Sequence, residues 1–314
     1  MRARVCNGNE PSGGTLNGDV PALRYVRAGS LNHDNGNGRT GRDSVDDAKR
    51  PVGRTAIDDD DLVGSQRLNE ERGQPLLDAA SSRVNGTAKR VYWARDAKAI
   101  VFGAVGDGQS RLAVLSPDQL SIERGLSAAG EPCDVVTAKS VPVPVGKSGK
   151  TSVDLWRLGA LMRTAQLAGA AERALHIAVD YARERKQFGR PIGKFQAVQQ
   201  LLAELAGQSA ATGAAAEMAA AAEELGRDKM ALAAAKTRAS EAAGRISAMA
   251  HQTLGAMGFT YEHHLHQFTR RLWVWRDDYG SDAWWARRLG RAITQAGAPT
   301  LWKSLTDGAS LGQV

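Results

Sequence analysis

Tyr181-Ala-Arg-Glu-Arg-Lys-Gln-Phe-Gly-Arg-Pro-Ile-Gly-Lys-Phe-Gln196 is the stretch on which the fold turns. Upstream of it Leu158, Leu161, Ala165 and Ala168 recur at steps of three and four, the spacing of one helix face. The stretch ends that helix at Phe188–Gly189, and Pro191 helps start the next one. Downstream, Phe195, Val198, Leu202 and Leu205 repeat the helical spacing, as do Leu265, Phe268, Leu272 and Trp275. Further breaks fall at Gly226–Arg227–Asp228 and at Gly255 to Gly258. Long helices joined by short breaks imply an antiparallel bundle of four to five helices over residues 151–314. Leu201 to Ala250 is so rich in alanine that its helices can approach closely, while gaining less hydrophobic energy per residue than a leucine core would.

Before the bundle the period changes. Arg83 to Trp93, Ala99 to Ala104 and Leu112 to Leu115 are short runs of β-formers, with a turn signal at Gly106–Asp107–Gly108. Val141, Val143 and Val145 alternate at period two. These predict a partial antiparallel β-domain over residues 82–150, too short to stand without a neighbour. Residues 1–81 are dominated by Gly, Asn, Asp and Arg with no apolar period, and read as a disordered leader carrying at most isolated turns. The fold class is therefore mostly α, of the α+β kind.

Composition removes several function classes. A hydrophobic share of 42% and a charged share of 24% exclude wholesale disorder and a collagen-like fibre. No uninterrupted apolar run reaches the ~18 residues of a membrane span, and Met1 to Asn9 lack the apolar core of a signal peptide. Cys6 and Cys133 are too few for a disulfide scaffold or a cysteine metal site, which fits a reducing, cytoplasmic setting. The net charge of +7 points to anionic partners: nucleic acid, or phosphate-bearing cofactors and CoA esters. No nucleic-acid motif accompanies it, so no nucleic-acid partner is expected.

Two segments can carry chemistry. Arg183, Arg185, Lys186, Arg190 and Lys194 crowd the corner of the quoted stretch, where a guanidinium can fork onto a phosphate and the Gln196 amide can bond a neighbouring oxygen. A solvated basic helix end favoured by the macrodipole gives the same pattern. In His251-Gln-Thr-Leu-Gly-Ala-Met-Gly-Phe-Thr-Tyr-Glu262, Gly255 and Gly258 open the backbone before another helix, a geometry that lets amides face a phosphate. A ligand-free helical connection would look the same. His263, His264 and His266 lack the spacing and the third ligand of a metal site, so no metal is expected. Trp273, Trp275, Trp284 and Trp285 suit either the wall of a ligand pocket, or bundle core and subunit contact.

Taken in order, the two segments resemble the acyl-CoA dehydrogenase family. Arg185, Phe188 and Gln196 match its RxxFGxxxxxxQ motif; Gln252, Gly255, Gly258, Phe259 and Glu262 match QxxGxxGFxxE. Val91-Tyr-Trp-Ala-Arg-Asp-Ala and Ala129-Gly-Glu-Pro resemble the later part of the family's middle β-domain. Gly258-Phe-Thr-Tyr-Glu-His-His-Leu-His with Arg270–Arg271 is similar to a branch common in actinobacterial lipid and steroid catabolism. The resemblance covers residue 82 to the end. It implies FAD, with Arg185, Phe188, Gln196, Gln252 and Gly255 as its contacts at a subunit boundary. It implies α,β-dehydrogenation of an acyl-CoA, in a homo- or hetero-oligomer of such subunits served by an electron-transfer partner.

The chain departs from the pattern at telling places. The family's helical N-terminal domain and the first part of its β-domain are not recognisable. The usual pair of adjacent glycines is Gly255–Ala256. Counted without gaps, the usual catalytic Glu falls on Tyr279, and the alternative position on the first bundle helix falls on Gly159. A phenol with an unperturbed pKa of roughly 10 is a poor base at neutral pH. Asp278 is then the candidate catalytic carboxylate, reached by a small backbone shift; the competing reading pairs Asp277 and Asp278 with Arg276, Arg287 or Arg288. Such a chain can also be an inactive partner subunit or a remnant that completes a neighbour's FAD site.

Overall fold

The computed structural model describes residues 23–25, 76–78, 82–106, 109–143, 152–225 and 229–307. They fall into two compact units. One is a sheet unit; the other is helical and takes Val153 onward together with the short segment Leu126–Glu131.

The sheet is built from β3 (Arg83–Tyr92), β4 (Ala99–Gly106), β5 (Gln109–Leu115), β6 (Ser121–Glu123) and β7 (Cys133–Pro142). All pairings among these five are antiparallel. Two pieces of the expected leader, β1 (Leu23–Tyr25) and β2 (Leu76–Asp78), are strands rather than turns, and each pairs in parallel with β4. The rest of residues 1–81 lies outside the described residues, as do the turn residues 107 and 108 and the last valine of the alternating run, residue 145. Val84, Ala88, Val91, Ile100, Phe102 and Val136 fill the core. The step from Ala88 to Val91 is odd, so an unbroken strand would send them to opposite faces. A register shift between them, with Arg90 at φ +61°, returns Val91 to the core.

Asp134 is fully buried and anchors the sheet unit's connections. It accepts from the Arg95 guanidinium, from the Arg95 backbone N–H at 3.1 Å and from the Gly125 N–H at 3.1 Å. Burial works to raise its pKa, yet the Arg95 hydrogen bond and these two amides together hold it below the usual carboxylate range.

The helical unit contains α1 (Ser152–Glu184), α2 (Gln196–Glu224), α3 (Lys229–Leu254), α4 (Leu265–Trp275), α5 (Asp282–Ala296) and α6 (Ala298–Asp307). Its core joins Leu167, Ala174 and Ile177 of α1, Leu205 of α2, Ala239, Ala243 and Ile246 of α3, and Leu265, Phe268, Leu272 and Trp275 of α4. The α4 spacing is as read, and all four of those side chains are buried. On α1 the phase differs. Leu158 is exposed, Leu161, Ala165 and Ala168 are half-buried, and the inward face runs through Gly159–Ala160, Arg163–Thr164, Leu167 and Ala170–Ala171. An arginine and a glycine disguise that face, because apolar periodicity cannot see them.

The stretch that opens the sequence argument also folds more tightly than read. α1 stops at Glu184, short of Phe188. Lys186–Gln187 then pairs with Arg190–Pro191 as a small hairpin (β8 and β9) around Phe188–Gly189. Both turn residues have positive φ, +52° and +76°, the requirement of a two-residue hairpin turn. A 3-10 turn at Ile192–Lys194 leads into α2.

Candidate functional site

Each end of α1 carries part of the candidate chemistry. At its C-terminal end the hairpin presents Phe188 to solvent, 92% exposed. The hairpin is closed from below by the Ile192 N–H donating to Arg185 O at 2.8 Å. Phe188 meets only the edge of Phe195, at 6.1 Å between centroids, and the Arg190 guanidinium lies 4.3 Å over that same Phe195 ring. Arg185, Arg190, Lys194 and Gln196 are all exposed here. The corner thus offers guanidiniums, an amide and a bare ring on one small rigid hairpin.

The second motif comes to the same end. Tyr181, in the last turn of α1, meets His263 edge-on at 6.3 Å, which ties the hairpin's helix to the connection between α3 and α4. Gln252 and Gly255 are exposed there. Gly255 has φ +59°, and no atom lies within 4 Å of where a Cβ would stand, so its backbone is open to an approaching group. Gly258 behaves differently from the sequence reading. It is buried, and a Cβ there would come within 3.1 Å of His251 Nδ1, Leu254 Cβ and Leu265 Cδ2. Gly255–Phe259 form a 3-10 turn, and α4 starts only at Leu265, so the two glycines do not sit at that helix's N-terminus.

At the opposite end of α1 the two positions that the sequence nominated for a base meet each other. A Cβ on Gly159 would stand 2.3 Å from Tyr279 Cε1 and 2.6 Å from its Cζ. The phenol ring therefore occupies the room that any side chain at 159 would need. Tyr279 is buried and left-handed, with φ +56°. Its turn is held from several sides. The Trp285 indole N–H donates to Tyr279 O at 2.9 Å. Lys236, fully buried, donates to Arg276 O at 2.7 Å, Gly280 O at 2.9 Å and Ser240 Oγ at 2.7 Å. Trp156 stacks on Trp285 at 5.1 Å and meets the Tyr279 ring edge-on at 6.5 Å.

Asp278 faces inward, 1% exposed, and accepts from Arg163 Nε at 3.1 Å. Arg163 is a partner that sequence proximity did not suggest, while Asp277 lies near Arg276 as that proximity did suggest, at 3.5 Å. Arg163 also lies 5.1 Å over the Trp275 ring, whose N–H donates to Glu131 Oε2 at 2.8 Å. Glu131 accepts in turn from Arg271 Nε at 3.2 Å. Carboxylates, guanidiniums and the lysine here satisfy one another or the backbone.

Comparison with known proteins places this arrangement. The family model for the acyl-CoA dehydrogenase C-terminal domain matches residues 156–293. The chain belongs to the acyl-CoA dehydrogenase family. It is 33% identical over 275 residues to the acyl-CoA dehydrogenase FadE34 of Mycobacterium tuberculosis (strain ATCC 25618 / H37Rv), an alignment covering 81% of this chain and 38% of that protein. It resembles a solved Tcur3481–Tcur3483 steroid acyl-CoA dehydrogenase variant, with TM-score 0.65, 27% identity and coverage of 71% of this chain and 63% of that one. It also resembles the ChsE4–ChsE5 complex of Mycobacterium tuberculosis, with TM-score 0.62 and 25% identity over 72% of this chain and 63% of that one. The chain thus spans under two fifths of the length of FadE34 and under two thirds of these structures.

Within this family's helical domain, the structure brings Arg185, Phe188 and Gln196 to the end that also carries Gln252 and Gly255, and puts Asp278 and Tyr279 at the other. Sequence reading missed Arg163, Lys236 and Glu131, the buried charges that hold the Tyr279 turn and α4. A signal existed for one of them: Lys236 stands in the apolar run Leu232-Ala-Ala-Ala-Lys-Thr, where a solvated lysine would not be expected. Among the described residues no helix is long and apolar enough to cross a membrane, and no three His, Cys, Asp or Glu side chains gather as a metal site.

Proposed function

We propose that this chain is a subunit of an FAD-dependent assembly that dehydrogenates an acyl-CoA thioester between its α and β carbons, in lipid or steroid side-chain breakdown. The observation that carries the reading is the exposed hairpin. Phe188 is left in a strained conformation with its ring in water, beside Arg185, Arg190 and Gln196. A ring, guanidiniums and an amide on one corner suit the adenine and diphosphate of a dinucleotide, and the open backbone at Gly255 leaves room for a phosphate. FAD, when bound, supplies the hydride acceptor. The residues of this chain do the rest of their part as orienting groups: Arg185 neutralises the diphosphate, Gln196 and Gln252 bond its oxygens, and Phe188 covers the base.

Twenty-five helical residues separate Gly159 from Glu184, about 38 Å along α1 at the helical rise. A dinucleotide gripped by this hairpin is too short to bring its reactive ring to the chain's own Tyr279. The hairpin therefore serves a cofactor bound mainly by a neighbouring subunit, of the same or a related chain. Such an assembly would need an electron-transfer partner to take up the electrons.

A second reading concerns the base, and the Gly159–Tyr279 contact favours it. Neither position carries a carboxylate, each fills the other's space, and Asp278 is held by Arg163. In this reading the chain completes a neighbour's FAD site, and the partner subunit would supply the carboxylate for the α-proton. The test of both is co-expression with a full-length relative. The visible spectrum and the assembly state are then followed in wild type and in the Arg185→Ala/Gln196→Ala double variant. Loss of flavin or of assembly in the double variant is expected; indifference of both overturns the reading. Flavin bleaching by an acyl-CoA with this chain alone would overturn the partner-supplied base.

A further inference from the structure

Four of the six histidines sit in or beside one connection, at positions 251, 263, 264 and 266. His251, in the last turn of α3, is 6% exposed. Its ring lies nearly parallel to Phe259 at 4.2 Å and to Trp273 at 5.8 Å. Its Nε2 is 2.9 Å from Thr269 Oγ1, and the Thr269 hydroxyl turns toward Leu265 O at 3.4 Å. The imidazole is thus the donor to Thr269, and its proton sits on Nε2. Nδ1 carries the lone pair and has no hydrogen-bond partner. It faces the backbone of Gly258, where a Cβ would come within 3.1 Å.

The stack helps hold the turn. Phe259 is itself 67% exposed, and its stacking on His251 seats the 3-10 turn Gly255–Phe259 on the last turn of α3, beside the buried Gly258 packed against Leu254 and Leu265. The rest of the connection hangs on two more imidazoles. His263 accepts the Leu265 N–H at Nδ1, 3.2 Å away, and His266 Nδ1 bonds His263 O at 2.7 Å. Tyr261 packs edge-on to His266. A proton arriving on Nδ1 of His251 would find no acceptor, would bury a charge, and would repel any charge on His266, which faces it from α4.

We propose that the Gly255–His264 connection is a pH-operated latch: the Phe259–His251–Trp273 stack keeps it shut while His251 is neutral, and protonation of His251 lets it go. The direction follows from burial, which depresses the His251 pKa, with His266 adding to the effect. His263 is depressed for the same reasons, burial first and then His264 and His266. The titratable groups around the latch are His266 on α4, Tyr261, Glu262, His263 and His264 in the connection, and Tyr181 of α1 against His263. Arg270 of α4 is engaged with Ala128 O. Because Gln252 and Gly255 lie at the same turn, the latch would regulate the end of the bundle assigned above to the cofactor. That consequence rests on the reading above; the latch itself does not.

The experiment is hydrogen exchange by mass spectrometry on the full-length, flavin-free chain from pH 8 to pH 5, corrected for the intrinsic pH dependence of exchange. Peptides spanning residues 252–265 are compared with peptides from the middle of α2. In wild type, protection of 252–265 should fall below pH 6.5 while α2 stays protected. In His251→Gln, which keeps a donor for Thr269 without titrating, the fall should be shallower by about tenfold per pH unit, the slope of one proton, leaving only the His263 contribution. In Phe259→Leu, an exposed substitution, protection should already be low at pH 8 and insensitive to pH. No loss in wild type, or an equal loss in His251→Gln, overturns the proposal; the latter result would move the switch to His263. Since no flavin is present, failure here leaves the cofactor reading untouched, and failure of that reading leaves this result standing.

Discussion

Phe188 and Tyr279 share a ring and a backbone anomaly but not their surroundings. Both are aromatic, and both have left-handed φ, +52° and +56°. Phe188 stands in solvent, its conformation set only by the hairpin turn and its own backbone bonds. Tyr279 is enclosed by Gly159, Trp156 and Trp285, on a turn tied down by Lys236 and Arg163–Asp278. A left-handed aromatic costs of order 1–2 kcal/mol, so each needs a reason. At Tyr279 the fold repays the cost from within. At Phe188 the two-residue turn of the hairpin sets the conformation, and the ring it leaves in solvent is the one assigned above to a partner's cofactor. The enclosed residue is explained by packing, the exposed one by its turn alone.

The sharpest way to break this contrast is at the enclosed end. Arg163→Ala takes the guanidinium away from a carboxylate that is 1% exposed, and should cost about 3–5 kcal/mol, read from urea unfolding. A loss under about 1 kcal/mol would mean that the Asp278 turn is not held as described. Next, Gly159→Ala drives a methyl into the Tyr279 ring and should cost about 1–3 kcal/mol. In a Tyr279→Gly background the same substitution should cost nothing further, a coupling that a double-mutant cycle measures directly.

Acid should separate the two units. His251 and His263 are both depressed, so the unfolded chain binds their protons more readily than the folded one. Their contribution is complete above about pH 6.5 and is lost as pH falls through their folded values. Asp134 in the sheet unit is depressed as a carboxylate, so its contribution is complete above about pH 4 and is lost only in stronger acid. Intrinsic tryptophan fluorescence of the helical unit should therefore change before exchange protection of β3 and β7 does; a single coincident transition would contradict it. The smallest effect belongs to the open end. Phe188→Gly, at a site 92% exposed where glycine takes the observed φ freely, should leave the unfolding midpoint within about 1 kcal/mol of wild type, while flavin-dependent assembly is lost.

Much of the fold was legible. The α4 spacing of Leu265, Phe268, Leu272 and Trp275 reads directly as a buried face, because large side chains at steps of three and four have one way to hide. The exposure of Arg185, Phe188, Gln196, Gln252 and Gly255 was legible as well, since both motifs fall at breaks between helices. The inward face of α1 was not. It is lined by Gly159, Arg163 and Thr164, and their burial depends on what stands opposite: a phenol, a carboxylate and an indole from residues more than a hundred positions away. The leader's strands β1 and β2 were hidden for a related reason, since three residues carry no period and gain their pairing from the strands beside them, β4 for β1 and both β3 and β4 for β2.

The order of residues by itself determined a mostly helical chain with a strand-rich segment before it, and a basic corner between two helices, because periodicity and turn chemistry act over a few positions. Only the tertiary structure decided that the two nominated base positions would close on one another, that Asp278 would find Arg163, and that a lysine would end in the core. Those outcomes are set by which surfaces meet, and a side chain's charge, room and partners do not exist until they do.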